Sequence, residues 1–385
     1  MSSVSNDPSI AGRTRGPAKI IVWDPFIRLF HWTLVASIAA AVITSLVLPI
    51  TWLGWHLVSG TAALALILAR IVWGLAGPAY ARFSGFVTGP RSCLNHFNEL
   101  RQGVARRHLG HNPLGGVMII VLMTVILAIG LTGVLALGGA LKIGPLAFAV
   151  SFTTGRAAWS LHQLLAYGLL GLVLLHIGGA IYESRRTKEN LARAMIDGHK
   201  EARLGDATLP QRRSHPWRAA GIVATMIAIV ATAVIVMTGW PATGVPKDPL
   251  ENVYAQECGT CHVAYHPSLL ATATWNAIMD GLAHHFGENA ELETATAQSI
   301  RAYLAANAAE HYDTLASHVF LKPDPSDPLR ITATPFWARR HASISPQVFS
   351  SKAVGSKGQC DACHQDASSG RFSPLSIAIP HGSLQ

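Results

Sequence analysis

The chain has 385 residues, of which 50% are hydrophobic and only 13% are charged. A soluble globular protein carries about 25% charged residues, and disorder requires high charge with little hydrophobicity, so the composition excludes both classes and predicts a membrane protein. The net charge of +9 is unevenly spread: residues 1–240 hold 21 Lys and Arg against 8 Asp and Glu, whereas residues 241–385 hold 9 against 13, which indicates a topological cause rather than nucleic-acid binding.

Five apolar segments follow one another along the chain, and a bilayer core requires about 20 residues per helix. We expect membrane helices at Leu29–Ile50, Trp52–Gly77, Gly115–Gly138, Trp159–Tyr182 and Arg218–Trp240. No charged residue lies between Arg28 and Arg70, and Pro49 predicts a tight turn between the first two helices. The first helix is too long for a signal peptide and follows a polar arm, so we expect it to remain as an anchor.

Basic residues in the connecting segments predict the orientation, because cytoplasmic loops are enriched in Lys and Arg. The N-terminal arm, the link between helices two and three and the segment after helix four carry 18 such residues, whereas the opposite loops carry only Lys142 and Arg156. We therefore expect a protein of the bacterial inner membrane with a cytoplasmic N-terminus and a periplasmic C-terminal part. The expected divisions are an arm at 1–28, a four-helix membrane domain at 29–182, a cytoplasmic connector at 183–217, a fifth helix at 218–240 and a periplasmic domain at 241–385, all of them mainly α-helical.

Four histidines lie inside the predicted membrane helices, where an ionisable side chain is a functional candidate by default. His162 and His176 are 14 residues apart, close to four helical turns, so both imidazoles project from nearly the same helix face, about 21 Å apart. The predicted orientation places His31 at the depth of His176 on the inner side and His56 at the depth of His162 on the outer side. Facing helices often build cofactor sites in bundles, and the four side chains predict two b haems with bis-histidine ligation. A lone histidine would more simply bond a neighbouring helix.

Arg70 follows His56 by 14 residues, which places it at the depth of the inner histidine pair. A cation there requires a partner, and a haem propionate would provide one. The alternative is that Arg70 extends to the cytoplasmic surface from the end of its helix.

Four of the five cysteines fall in two copies of C-x-x-C-H, namely Cys258-Gly-Thr-Cys261-His262 and Cys360-Asp-Ala-Cys363-His364. This spacing is the attachment sequence of c-type haem: the thiols add to two vinyl groups, and the next residue offers an imidazole to the iron. A zinc ion held by four thiolates is the alternative, but two copies in a segment predicted to be exported favour two covalent c haems. The fifth cysteine, Cys93, is expected to be a reduced thiol in a cytoplasmic loop.

Each c haem iron needs a sixth ligand, usually Met or His. The exported segment contains one methionine, Met279, so at most one haem can have His/Met ligation and bis-histidine ligation is expected. The histidines that compete for the distal positions are His266, His284, His285, His311, His318, His341 and His381. Their spacing alone does not choose among them.

Motifs across residues 20–200 resemble bacterial cytochrome b561 and the b-type cytochromes of nickel hydrogenases. They begin with Val22-Trp-Asp-Pro-Phe-Ile-Arg-Leu-Phe-His-Trp-Thr-Leu34 and continue with His56-Leu-Val-Ser-Gly, Arg70-Ile-Val-Trp-Gly, His111-Asn-Pro-Leu-Gly-Gly and the His162/His176 pair. The resemblance implies the same four histidines as haem ligands, and electron exchange with membrane quinone.

Residues 251–385 resemble the dihaem cytochrome c family. The motifs are Glu257-Cys-Gly-Thr-Cys-His262, His285-Phe-Gly-Glu-Asn-Ala, Arg330-Ile-Thr and Cys360-Asp-Ala-Cys-His364. The resemblance implies His285 and His341 as distal ligands. His266 stands in a motif that we do not match to the family pattern and stays a competitor.

Together these features predict a membrane electron-transfer protein with four haems that passes electrons from the quinone pool to a periplasmic redox partner. It would act as a quinol:cytochrome c-type oxidoreductase or as an electron-carrier subunit, and no side chain is expected to be catalytic. Two alternatives stay open: a haem subunit of a larger hydrogenase-type or dehydrogenase-type complex, and reverse flow from superoxide or a periplasmic enzyme to quinone. The sequence does not decide between a monomer, a homo-oligomer and a larger complex.

Overall fold

The computed structural model describes residues 19–210, 214–322 and 327–380. The regular secondary structure of this part of the chain is almost entirely helical. Its one small sheet is antiparallel and pairs Lys19–Ile21 (β1) with His199–Glu201 (β2). The start of the N-terminal arm and His381 lie outside the described residues.

Seven helices occupy the N-terminal part: α1 (Pro25–Leu46), α2 (Leu53–Ala76), α3 (Pro90–Gln102), α4 (Pro113–Ala140), α5 (Phe152–Thr187), α6 (Leu191–Asp197) and α7 (Pro216–Thr238). Among the described residues, α1, α2, α4, α5 and α7 are long and apolar enough to cross a bilayer. This confirms the predicted set of five membrane helices.

Helix α1 begins four residues before the predicted start because Asp24 caps it. The Asp24 Oδ1 atom accepts hydrogen bonds from the amides of Phe26, at 2.9 Å, and Ile27, at 3.2 Å. Pro25 occupies the first helical position, where its missing N–H has no cost. The helix is thus shifted toward the N-terminus relative to the apolar segment.

Helix α5 is longer than the predicted span Trp159–Tyr182 at both ends. At its start, Ser151 Oγ accepts a hydrogen bond from the Thr154 amide at 3.2 Å. At its end, Arg185 and Arg186 lie in the last turn, where cations interact favourably with the helix dipole. The loop between α4 and α5 is correspondingly shorter than the sequence suggested.

The described chain divides into two compact units. The first unit comprises residues up to 39, 61–127 and 167–227, and the second comprises 40–60, 128–166 and the chain from 228 onward. The second unit therefore contains the turn between α1 and α2 and the loop between α4 and α5, together with the C-terminal domain.

The first unit has its own hydrophobic core. That core contains Val22, Trp23, Ile27, Val72, Trp73, Ala81, Leu109, Ala194 and Ala219. The segment after α5 closes over it, because the Gly198 carbonyl accepts hydrogen bonds from the amides of Val22 and Trp23. Arg107 forms ion pairs with Glu189 and Asp206 in the same region, so these two carboxylates share one cation.

The C-terminal domain lies within the second unit. Its helices are α8 (Asn252–Cys258), α9 (Thr272–Asp280), α10 (Thr294–Ala306), α11 (Leu315–Phe320), α12 (Pro335–Arg340) and α13 (Pro346–Phe349). Helix α9 packs on α10. The buried core includes Tyr254, Leu269, Leu270, Trp275, Met279, Ile300, Leu304 and Phe320, and Cys258 of the first C-x-x-C-H motif packs against it.

Candidate haem sites

His56 on α2 and His162 on α5 face each other in the second unit. Their ring centres are 6.1 Å apart with an angle of 72° between the ring planes. Two imidazoles that share one metal have ring centres about 6 Å apart, because each metal–nitrogen bond is about 2.0–2.1 Å and the nitrogen lies about 1.1 Å from the ring centre. The spacing of this pair therefore fits one iron between them.

The Nδ1 atoms of this pair are held by backbone carbonyls. His56 Nδ1 donates to the Ala41 carbonyl at 3.0 Å, and His162 Nδ1 donates to the Ile129 carbonyl at 2.9 Å. Such a bond fixes the tautomer and leaves Nε2 with its lone pair free for a metal. Both imidazoles are thus prepared as ligands by the neighbouring helices.

His31 on α1 and His176 on α5 belong to the first unit and are close enough to interact electrostatically. The His31 Nδ1 atom is buried and has no hydrogen-bond partner among the described residues. His176 follows His162 by 14 residues on α5, and the pairing of His31 with His176 stays a prediction.

Arg70 is also in the first unit and is only 3% exposed. Its guanidinium lies 5.1 Å from the centre of the Phe83 ring and 6.0 Å from that of Phe86. The Nη1 atom is buried without a hydrogen-bond partner among the described residues. A buried cationic donor of this kind suits a carboxylate such as a haem propionate, and its burial disfavours extension to the surface.

The first motif lies at the end of α8. We call its residues Cys258, Cys261 and His262, together with His285, the first haem site. The rings of His262 and His285 are 6.3 Å apart and nearly parallel, at 25°. His262 Nδ1 bonds the Val263 carbonyl at 2.8 Å, which again directs Nε2 away from the backbone. This spacing also fits one iron.

The second haem site comprises Cys360, Cys363, His364 and His341. The rings of His341 and His364 are 6.2 Å apart, at 72°. His341 Nδ1 donates to the Trp337 carbonyl at 2.8 Å, and the Trp337 ring stacks on His341 at 4.2 Å. An aromatic plane and a backbone carbonyl therefore orient this imidazole.

Two competing histidines are engaged in other contacts. His266 Nδ1 accepts from the Ser268 amide at 3.1 Å, so its neutral ring carries the proton on Nε2, and burial lowers its pKa to about 4. His318 Nε2 bonds Asp313 Oδ1 at 2.8 Å. Met279 packs in the core of the domain. His284 and His311 lie in short 3-10 turns.

The motif cysteines form no disulfide bonds. Burial raises the pKa of Cys258 to about 11, with Glu257 adding to the shift, and burial beside Asp361 raises that of Cys360 to about 11. Among the described residues, no group of three or more His, Cys, Asp or Glu side chains is arranged to hold a metal ion.

Comparison with known proteins matches the two parts of the chain separately. Residues 22–198 match the family described as prokaryotic cytochrome b561, and residues 254–372 match the family described as dihaem cytochrome c. Among solved structures, DHC from Rhodobacter sphaeroides is 36% identical, with 31% of this chain and 95% of that chain covered and a TM-score of 0.25. The chain belongs to the dihaem cytochrome c family and carries a cytochrome b561 domain ahead of it.

A second solved structure is also similar in sequence to the C-terminal part of the chain. The dihaem cytochrome c of Shewanella baltica is 34% identical, with 34% of this chain and 93% of that chain covered and a TM-score of 0.28. No curated protein matches the chain significantly. The two families imply haem b in the b561 domain and haem c in the dihaem domain, so the protein is a membrane-bound haem protein of electron transfer.

Gly133 of the b561 domain makes room for a predicted ligand and was missed by the sequence reasoning. A Cβ atom at this position would lie 3.1 Å from Cε1 and 3.2 Å from Nδ1 of His162. Thr132, the preceding residue, places its hydroxyl 3.5 Å from the same Nδ1. Glycine is common in membrane helices for packing alone, so the sequence did not single this one out.

His111 is a further buried histidine of the b561 domain. It lies between the rings of Trp23, at 4.7 Å, and Phe86, at 4.8 Å. Burial, with Arg70 adding to the effect, holds its pKa far below the usual range. The sequence had marked His111 only as part of a family motif, and the depth of its burial could not be inferred from that.

Proposed function

We propose that the protein is a tetrahaem conduit that takes electrons from membrane quinol and delivers them to a periplasmic redox partner. The observation that carries this proposal is the spacing of three histidine pairs at 6.1, 6.3 and 6.2 Å, each of which suits one iron. The fourth pair, His31 with His176, supplies the remaining site.

The ligand sets follow from these pairs. His31 with His176 and His56 with His162 would hold two non-covalent b haems, and Arg70 would bind a propionate of the first. The covalent c haems would be attached at Cys258 and Cys261 and at Cys360 and Cys363, with His262 and His364 as proximal ligands and His285 and His341 as distal ligands.

Bound haem supplies one-electron redox chemistry, and the chain supplies the setting for it. Its imidazoles fix the iron positions, and the carbonyl bonds at Nδ1 raise the basicity of the ligands. Bis-histidine ligation favours lower potentials than His/Met ligation. No side chain is required to act on a substrate beyond the handling of quinol protons.

The proposed topology follows the distribution of basic residues. The arm at 1–28 and the connector at 183–217 would be cytoplasmic, the spans at 29–182 and 218–240 would lie in the bacterial inner membrane, and the domain at 241–385 would be periplasmic. The excess of acidic residues in that last domain suits a basic redox partner through electrostatic steering.

Reduction of the purified protein by a soluble quinol tests the proposal. We expect the absorption bands of both haem types to show reduction, and we expect His56→Ala to stop reduction of the c haems while leaving them reducible by dithionite. If quinol reduces no c haem in the intact protein, the proposed path is wrong.

A further inference from the structure

We propose that the second haem site, and not the first, adjoins the membrane helices, so that electrons enter the dihaem domain at Cys360–His364 and leave it from the first site. This inference rests on the proposed function for its electron path, but its structural part can be tested alone. All the contacts that carry it lie within the second unit.

One segment near the C-terminus packs directly on the second haem site. The Phe372 ring lies 5.2 Å from the ring of His364. The Gln365 amide donates to the Ser376 carbonyl at 3.0 Å, and the Ala378 amide donates to the Cys363 carbonyl at 2.8 Å. Residues 372–378 therefore form one wall of this site.

The same segment contacts the membrane helices. Pro374–Ser376 lies against Ile50–Trp52, the turn that leads into α2, and Trp52 precedes the proposed ligand His56 by four residues. One residue ahead of the segment, Arg371 donates through Nη2 to the Lys142 carbonyl at 3.3 Å. The second haem site is thus separated from the turn before His56 by a single stretch of chain.

An ion pair between the buried Lys142 and the partly exposed Asp313 holds the dihaem domain in this position. The Lys142 ammonium, in the loop between α4 and α5, donates to Asp313 Oδ2 at 2.7 Å and to the Val150 carbonyl at 3.0 Å. Asp313 Oδ2 also accepts the Phe152 amide at 2.8 Å, and the Phe152 ring stacks on His318 at 4.5 Å.

We call these four residues, Lys142, Asp313, Phe152 and His318, the clamp. The clamp resists separation of the dihaem domain from the loop between α4 and α5, because Lys142 is only 3% exposed. A buried charge that loses its partner is strongly destabilised. The Asp313 amide further donates to the Gly244 carbonyl at 2.7 Å, which ties the linker after α7 to the same place. The domain is therefore docked on the loop rather than tethered only by its linker.

Two hydrogen bonds join the chain after the first C-x-x-C-H motif to the loop before the second motif. The Val263 amide, next to His262, donates to Gln359 Oε1 at 3.1 Å. The Tyr265 hydroxyl donates to the Gly358 carbonyl at 3.1 Å. The loop before the second motif therefore contacts the chain that follows the first, which gives the order membrane helices, second site, first site.

Cross-linking of cysteine pairs in the full-length holoprotein tests this order without measuring activity. In a Cys93→Ser background, we expect a short bismaleimide to link Trp52→Cys to Leu375→Cys, since both positions are exposed. The matched control pairs Trp52→Cys with Asn289→Cys, in the exposed loop after His285, and should give no link. A link in the control pair without one in the first pair would overturn the proposal.

The clamp is tested by comparing two ion pairs of the same domain. Asp313→Asn should lower the yield of the Trp52–Leu375 link and slow the reduction of the c haems by quinol severalfold. Asp280→Asn, which breaks the ion pair with Arg301, should change neither. If Asp313→Asn leaves both yield and rate unchanged, the clamp has no such role. If the link forms but quinol reduces no c haem, the proposed function fails while the docking order stands.

Discussion

The four histidines of the membrane helices differ in the way their Nδ1 atoms are engaged. His56 and His162 donate to carbonyls of neighbouring helices, whereas His31 Nδ1 is buried without a partner among the described residues. A carbonyl partner fixes ring orientation, so the rings of His56 and His162 are more firmly oriented by the chain than that of His31.

The first prediction concerns His176. Replacement by Ala removes one of two imidazoles from the inner site, and we expect the purified protein to retain one b haem instead of two with both c haems in place. A pyridine haemochrome assay measures the ratio. His199→Ala, at an exposed histidine of β2, should leave the haem content unchanged, and loss of a c haem in His176→Ala would contradict the assignment.

The second prediction concerns Gly133. The methyl group of Gly133→Ala would lie 3.1 Å from His162, and overpacking of this kind costs about 1–3 kcal/mol. We expect weaker retention of the outer b haem and an altered electron paramagnetic resonance signal. Gly171→Ala, on the same helix as His162 but with nothing within 4 Å of the new methyl group, serves as the control; an equal effect there would mean that helix packing is the cause.

At the scale of the elements, the short loop between α4 and α5 makes long-range contacts with the C-terminal domain. Lys142 was visible in the sequence as one of only two basic residues in the outer loops, but its partner Asp313 lies 171 residues further along the chain. Hydrophobic periodicity finds helices and says nothing about such long-range pairs. The sequence could therefore mark the residue but not its role.

The third prediction is the pH dependence of this docking. Burial raises the pKa of Asp313, but hydrogen bonds from Lys142, His318 and the Phe152 amide outweigh it and lower the pKa below the ordinary 3.8. A carboxylate whose pKa is lowered by folding stabilises the folded form fully when the pH is above the pKa of the unfolded state. This contribution is lost as the pH falls through the pKa of the folded state.

We therefore expect the docked arrangement to persist from pH 8 to about pH 4 and to loosen only below that. The distance between spin labels at positions 52 and 375 measures it. Asp313→Asn should show the loosened distribution at every pH. Loosening of the original protein between pH 7 and pH 5 would show that a group other than Asp313 controls the contact.

At the scale of the whole molecule, the sequence was sufficient for the class of fold, and it predicts how the membrane histidines pair. A spacing of 14 residues on one helix has a fixed geometric meaning, and apolar length defines the spans. Helix ends were less accurate, because caps such as Asp24 and Ser151 extend a helix beyond its apolar segment. The distal c ligands depended on resemblance, since loop residues have no fixed period.

The fourth prediction concerns the topology. Because the connecting segments on one side of the first four helices, with the N-terminal arm, carry 18 basic residues and the short loops on the other side carry two, a reporter that is active only outside the cytoplasm should work after residue 250 and fail after residue 205. A reporter that fluoresces only in the cytoplasm should show the reverse pattern. Activity of the first reporter at both positions would rule out the proposed orientation.

The central claim is that one polypeptide holds four haems of two chemical kinds, and a pyridine haemochrome assay combined with an iron determination tests it most directly. We predict two haem b, extractable into acidified organic solvent, two haem c that stay with the polypeptide, and four iron atoms per chain. Fewer than four iron atoms in the intact protein, or a ratio of b to c other than one, would contradict the account.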